Sequence, residues 1–139
     1  IIDRCTWFGV VCNGAQTSVL SINLDGNNLQ GFLPDLQLPN LQTLILDNNS
    51  GIRGNLPDWS SLTNLQQISL SGDSIDGTLP PAWSSLVSLE NINLEENNIQ
   101  GSLPESWSTL TSLEILDFAK NQLNGTLPTS WSSFTNLIR

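Results

Sequence analysis

Residues 89–112 read LENINLEENNIQGSLPESWSTLTS and residues 113–136 read LEILDFAKNQLNGTLPTSWSSFTN. Laid over one another, Leu89, Ile92, Leu94, Asn97, Ile99, Gly101, Leu103, Pro104, Trp107 and Leu110 fall on Leu113, Leu116, Phe118, Asn121, Leu123, Gly125, Leu127, Pro128, Trp131 and Phe134. Self-similarity at a fixed period dictates an architecture rather than a single element. Working outward, Leu65 and Leu41 open two earlier units at the same spacing of 24, and Leu137 opens another. Residues 65–88 hold the register but put Asp73 where the others have Asn. Residues 41–64 gain one residue after Asn49 and lose one before Trp59, so Ile52, Gly54, Leu56 and Pro57 are displaced while Leu62 is back in phase. Residues 19–40 are shorter and lack the Trp.

The shared LxxLxLxxN segment is a short strand with inward Leu at alternate positions, closed by an Asn whose side chain satisfies backbone groups of neighbouring coils. One coil cannot bury its own leucines. Coils stacked at the parallel-strand spacing of about 4.8 Å share one continuous core, and roughly three or more are needed to hold it. The LxGxLP stretch that follows has a Gly for a sharp turn and a Pro that cannot donate to a ladder.

Composition removes several function classes. Lys plus Arg number 4 against 13 Asp plus Glu, a net charge of −9, which argues against nucleic acid or an anionic membrane as partner. There is no histidine, so a nucleophile paired with a histidine base is excluded, and Cys5 and Cys12 fall short of a zinc ligand set. The two cysteines read as one disulfide, which implies an oxidising compartment. No run approaches the about 18 apolar residues of a membrane span. Ile1 stands too close to Cys5 for a leader peptide to precede it, so a mature or trimmed chain is expected. The opening of a further repeat at Leu137 exposes core positions, so the natural protein is expected to continue, with or without a membrane anchor.

The repeat resembles the plant-type leucine-rich repeats of receptor ectodomains and polygalacturonase-inhibiting proteins, whose unit contains LxGxLP or LxGxIP; the likeness covers Val19 to Arg139. Cys5-Thr6-Trp7-Phe8-Gly9-Val10-Val11-Cys12 resembles the CxWxGVxC cap that starts such domains. Trp-Ser-Ser at Trp59, Trp83 and Trp131, and Trp-Ser-Thr at Trp107, depart from the plant Leu-Gly and resemble the surface-antigen repeats of kinetoplastids such as Leishmania. The resemblance implies an α/β-type repeat solenoid: a right-handed superhelix with a concave parallel β-sheet and a convex side of short strands, turns and 3-10 segments. It divides the chain into a partial disulfide cap over 1–18 and repeats over 19–139 (19–40, 41–64, 65–88, 89–112, 113–136 and a sixth from 137). It further implies a secreted or surface-anchored module that binds a protein, peptide or glycan, and no catalytic residues or cofactor.

The Trp column, at one repeat position, is expected to close the core by offset stacking rather than to serve as a sugar-binding strip. Side chains alternating with the inward leucines face the concave sheet. Asp25 and Asp47 lie there, and so do Glu90, Glu95, Glu96, Glu114 and Asp117, all in the last two complete repeats. With Asn91, Asn93 and Lys120 these last five form the expected ligand surface for a basic or polar partner, the bland alternative being a solvated acidic face. Glu90 beside Glu114 resembles a retaining-glycosidase pair, but a flat sheet has no pocket to raise a pKa. No metal site is expected, since the acids around Glu95, Glu96 and Asp117 lack a calcium-loop motif. Asn48-Asn49-Ser50 and Asn124-Gly125-Thr126 are N-glycosylation triplets. The rival reading is a structural or adhesive coat protein without a concave-face ligand. Ice binding requires a flat regular array, and the row Phe32, Asn55, Thr78, Ser102 and Thr126 is irregular.

Overall fold

In a computed structural model the inward Leu and Ile form strands, and the strands align coil on coil; residues 4–138 are described. Residues 1–3 of the expected cap and Arg139 lie outside them. Numbered in chain order the strands are β1 (Val10–Cys12), β2 (Val19–Asn23), β3 (Gln30–Phe32), β4 (Thr43–Ile45), β5 (Gly51–Asn55), β6 (Gln67–Ser69), β7 (Ser74–Asp76), β8 (Asn91–Asn93), β9 (Gln100–Ser102), β10 (Ile115–Asp117) and β11 (Gln122–Asn124). The main sheet runs β1-β2-β4-β6-β8-β10 and is parallel from β2 onward. Leu44, Ile68, Ile92 and Leu116 are mutual register partners across it, so one repeat position makes one row. Behind these strands Leu41, Leu62, Leu65, Leu70, Leu86, Leu89, Leu94, Leu110 and Leu113 are buried in one cluster.

The second face carries shorter parallel sheets, β3-β5-β7 and β9-β11, linked by a bridge between Thr78 and Gln100. The left-handed φ of +77° at Gly77 makes the turn, and a Cβ there would collide with the Asn55 side chain of the coil below. The chain then closes through 3-10 turns at Pro81–Ser85, Glu105–Thr109 and Thr129–Ser133, each preceded by the proline of LP. Among the described residues there is no α-helix; the helical part of the expected α/β class is 3-10 only. Repeat 41–64, one residue short before Trp59, has no such turn, yet Trp59 is as buried as Trp83.

Three side-chain ladders lock coil to coil. In the first, Asn49 Oδ1 accepts the Asn27 and Leu29 N–H groups at 3.0 and 2.9 Å while its Nδ2 donates to the Leu24 and Leu46 carbonyls. Asn97 and Asn121 repeat the pattern. In the second, Trp59, Trp83, Trp107 and Trp131 stack with centroids 5.7, 5.8 and 6.4 Å apart and planes within 10°. Each indole N–H donates to a proline carbonyl one coil back: Pro34, Pro57, Pro80 and Pro104, at 2.9 to 3.1 Å. In the third, Ser85, Thr109 and Ser133 donate their hydroxyls to the Ser60, Ser84 and Ser108 carbonyls of the preceding coil. Trp-Ser-Ser thus replaces Leu-Gly with a stacking ring and an inter-coil donor.

At the N-terminal end Cys5 and Cys12 are bonded. A loop this short contributes about 2 to 3 kcal/mol by loop-closure entropy. The bond anchors β1, which pairs antiparallel with β2 (Val10 with Ile22, Val11 with Ser21), so the cap is itself a strand of the main sheet. Trp7 and Phe8 stay exposed.

Candidate ligand-binding face

Backbone hydrogen bonds set the rows of the concave face. The Gln66 N–H donates to the Gln42 carbonyl, Glu90 to Gln66 and Glu114 to Glu90, at 2.8 to 2.9 Å, so these side chains stand in one line. Asn93 is the register partner of Asp117, and Asn91 of Ile115. All the expected site residues are therefore brought together on adjacent coils. Glu90 and Glu114 are exposed and have no ion pair among the described residues. Asn91, Asn93 and Asp117 are half-buried.

The structure gives some of these residues a further task. Asn93 Oδ1 accepts the Glu95 N–H and Asp117 Oδ1 accepts the Ala119 N–H, both at 3.0 Å, so each shapes the turn after its own strand. The Asn91 Oδ1 is buried with no hydrogen-bond partner among the described residues. Lys120 Nζ sits 3.2 Å from Glu95 and 3.4 Å from Glu96, and these two carboxylates, Glu95 first, raise its pKa. The patch thus splits into an uncompensated Glu90–Glu114 row and a rim that is partly neutral. Farther along, Asp47 accepts Ser69 Oγ and the Ser71 N–H, both at 2.7 Å, and Asp25 accepts Asn48 Nδ2, so the acids of the earlier coils bind neighbouring coils.

Sequence reasoning missed the backbone under that rim. Glu96 and Lys120 have φ of +59° and +55°, the left-handed region, where the earlier coils have Gly26, Asn48 and Gly72. Gly or Asn at this one repeat position in the three earlier coils was the available signal. A non-glycine residue there costs on the order of 1 kcal/mol, and exposed ion pairs contribute less. Glu96→Gly is therefore expected to stabilise the fold by roughly 0.5 to 1 kcal/mol in thermal unfolding while removing part of the rim; destabilisation would show that the Lys120 contact outweighs the strain.

Asp73 occupies the ladder place of Asn49 and Asn97. Its Oδ1 accepts the Asn49 N–H at 2.8 Å, whereas Oδ2 is buried without a partner. Surface depressions lie around Arg4, Trp7, Val10 and Leu38 and beside Asn55, Asp58 and Thr78, and neither is lined by Glu90 or Glu114. Among the described residues no group of three or more His, Cys, Asp or Glu is placed to hold a metal ion, and no helix is long and apolar enough to cross a membrane. Asn48 and Asn124 are both exposed, the first in the turn that follows β4 and the second in β11.

Residues 39–99 and 112–134 match profiles described as Leucine rich repeat. A chain of the BIR3–SERK2 complex from Arabidopsis thaliana is 30% identical, with a TM-score of 0.86, over 97% of this chain and 74% of its own. The chain belongs to the plant-type leucine-rich-repeat family. Other structural neighbours are described differently. The plant peptide hormone receptor RGFR1, solved in complex with RGF2, is 30% identical over 96% of this chain and 20% of its own, TM-score 0.82. A plant ice-binding protein is 29% identical over 96% of this chain and 44% of its own, TM-score 0.88. No curated protein sequence matches.

Proposed function

We propose that this leucine-rich-repeat chain is an extracellular or cell-surface ligand-recognition module that takes a basic or polar segment of a protein or peptide on the C-terminal half of its concave sheet. The observation that carries the reading is the exposed Glu90–Glu114 row, which has no cation of its own while the acids of earlier coils bind neighbouring coils. Carboxylates carried on adjacent strands, whose backbones lie about 4.8 Å apart, suit Lys or Arg side chains of an extended segment. A glycan with polar groups is accommodated by the same Gln and Asn rows. The bonded Cys5–Cys12 pair supports an oxidising, extracytoplasmic setting. The Trp-Ser-Ser ladder supports a kinship with kinetoplastid surface-antigen repeats inside the family. Ice binding is disfavoured by the second face, where Phe32 is exposed with Arg53 over its ring. The register sets Arg53 beside Phe32, Asp76 beside Asn55 and Gln100 beside Thr78, so Phe32, Asn55, Thr78, Ser102 and Thr126 do not form one regular row.

The test is capture of partners from cell-surface extracts by the wild-type chain and by Glu90→Gln, Glu114→Gln and Asp117→Asn combined. Asn at 117 keeps the oxygen that accepts the Ala119 N–H, so the turn survives. Wild-type capture is expected to associate faster at low salt, and the triple variant to lose most of it. Equal capture by both at low and moderate salt would leave a solvated face and favour a structural coat.

A further inference from the structure

We propose that the second face holds a binding site for a neutral saccharide, in the step between repeats 41–64 and 65–88 and apart from the concave sheet. The step begins in the sequence. Between the proline of LP and the tryptophan, the later repeats have two residues, Pro81 and Ala82, Glu105 and Ser106, Thr129 and Ser130, whereas repeat 41–64 has Asp58 alone. Those pairs open the 3-10 turns of the later coils. Here the chain runs from Pro57 to Trp59 without that turn. A depression of about 400 Å³ lies at the same step, lined by Asn55, Leu56, Asp58, Gly77, Thr78 and Pro80.

The polar groups of the depression are not spent on joining coils. Ser106 and Ser130, at the place before the tryptophan that Asp58 takes here, donate to the Pro81 and Glu105 carbonyls of the preceding coil. Among the described residues no hydrogen bond of the Thr78 hydroxyl or the Asn55 amide is found, and both residues are exposed. Asn55 ends β5 and lies over Gly77, whose missing side chain leaves bare backbone in the floor. Asp58 Oδ1 accepts the Ser60 N–H at 3.0 Å. Hydrogen bonds to the Ser60 side chain and backbone hold its carboxyl below the ordinary range, so it is a charged acceptor at neutral pH.

This set of groups selects the ligand class. No lining residue is a cation, and Asp58 repels an anion. A sugar hydroxyl both donates and accepts, and the site meets both roles: the carboxylate accepts, while the amide and the threonine hydroxyl do either. Leu56 and Pro80 offer a small apolar patch to the C–H face of a ring. The volume, near the lower end of small-ligand sites, suits a single sugar unit or a pair. Contacts this open to water give weak binding, in the millimolar range.

The experiment titrates the nitrogen-15-labelled chain with the methyl glycosides of mannose, glucose, galactose and N-acetylglucosamine and follows its amide signals. At least one glycoside is expected to shift the signals around Asn55, Asp58 and Thr78 to saturation while those of Glu90 and Glu114 stay in place. Thr78→Val keeps the shape without the hydroxyl, and Asp58→Asn keeps an oxygen for the Ser60 N–H; each is expected to weaken binding about three- to tenfold. The Trp83 indole signal, whose N–H the Pro57 carbonyl accepts, reports that each variant is folded. The concave-face variant Glu90→Gln, Glu114→Gln, Asp117→Asn should bind the glycoside as wild type does, so this site and the concave-face reading stand or fall separately. No saturable shift with any of the four glycosides, shifts centred outside the depression, or an affinity that both substitutions leave unchanged overturns the inference.

Discussion

Asp73→Asn is expected to raise the unfolding midpoint clearly at pH 8 and to leave it almost unchanged near pH 4. In the coil above, Asn97 Nδ2 donates to the Leu70 and Leu94 carbonyls. An ionised carboxylate at the same ladder place can only accept, and Oδ2 has nothing to accept from. Burial, opposed by the Asn49 N–H and reinforced by the negative charge of Asp47, pushes the Asp73 pKa up to about 7 from an ordinary 3.8. Because the folded value is the higher one, the native state binds the proton more tightly. Its stabilising effect is complete below about pH 4 and is lost as pH rises through 7. A displacement of this size corresponds to at most about 4 kcal/mol, at roughly 1.4 kcal/mol per unit. Asn supplies the missing donor at every pH, so the variant should exceed wild type by about 2 to 4 kcal/mol at pH 8 and converge with it in acid. Repulsion among the other acids relaxes in both proteins alike, so the difference between their profiles isolates Asp73. Parallel profiles would mean that Oδ2 finds a donor in solution.

Trp83→Ala is expected to cost about 3 to 5 kcal/mol. Its ring is fully buried, stacks on Trp59 at 5.7 Å and on Trp107 at 5.8 Å, and closes the core between two coils. Truncation leaves a cavity, breaks both stacks and strands the Pro57 carbonyl that the indole N–H satisfied at 3.0 Å. Trp83→Phe separates these effects: it keeps most of the buried area but removes the donor, and should cost about 1 to 3 kcal/mol. In urea unfolding the Ala variant is also expected to broaden the transition, since neighbouring coils of a solenoid are coupled chiefly through their shared interface. A loss below about 0.5 kcal/mol would show that the column is not a structural spine, and would reopen the sugar-strip reading.

The period of Leu41, Leu65, Leu89 and Leu113 was enough to read the solenoid, the rows of the concave sheet, the Asn ladder with its Asp73 exception and the Trp column, because each follows from one residue type recurring at one spacing. The bonds between coils were harder to read. Trp107 Nε1 meets the Pro80 carbonyl, and Thr109 Oγ1 the Ser84 carbonyl, across 27 and 25 residues of chain, and such pairs become neighbours only once stacking fixes the register. A backbone acceptor leaves no mark on its own residue type. The same blindness hid the antiparallel β1, whose three residues have no repeat to be compared with. The candidate site was legible as a set of charges but not as a division of labour. Nothing in their spacing says that Asn93 and Asp117 brace their own turns, or that Lys120 reaches Glu95 as well as Glu96.

Recognition through the C-terminal half of the concave sheet is tested most directly by site-specific photo-crosslinking at the cell surface. A benzophenone side chain placed at Gln66, exposed beside Glu90 on the main sheet, is compared with one at Gln100, exposed in β9 on the second face. The prediction is a defined adduct from Gln66 that is lost in the Glu90→Gln, Glu114→Gln, Asp117→Asn background, and none from Gln100. The same adduct from Gln100 alone, or from both positions regardless of the acidic residues, would contradict a concave-face ligand.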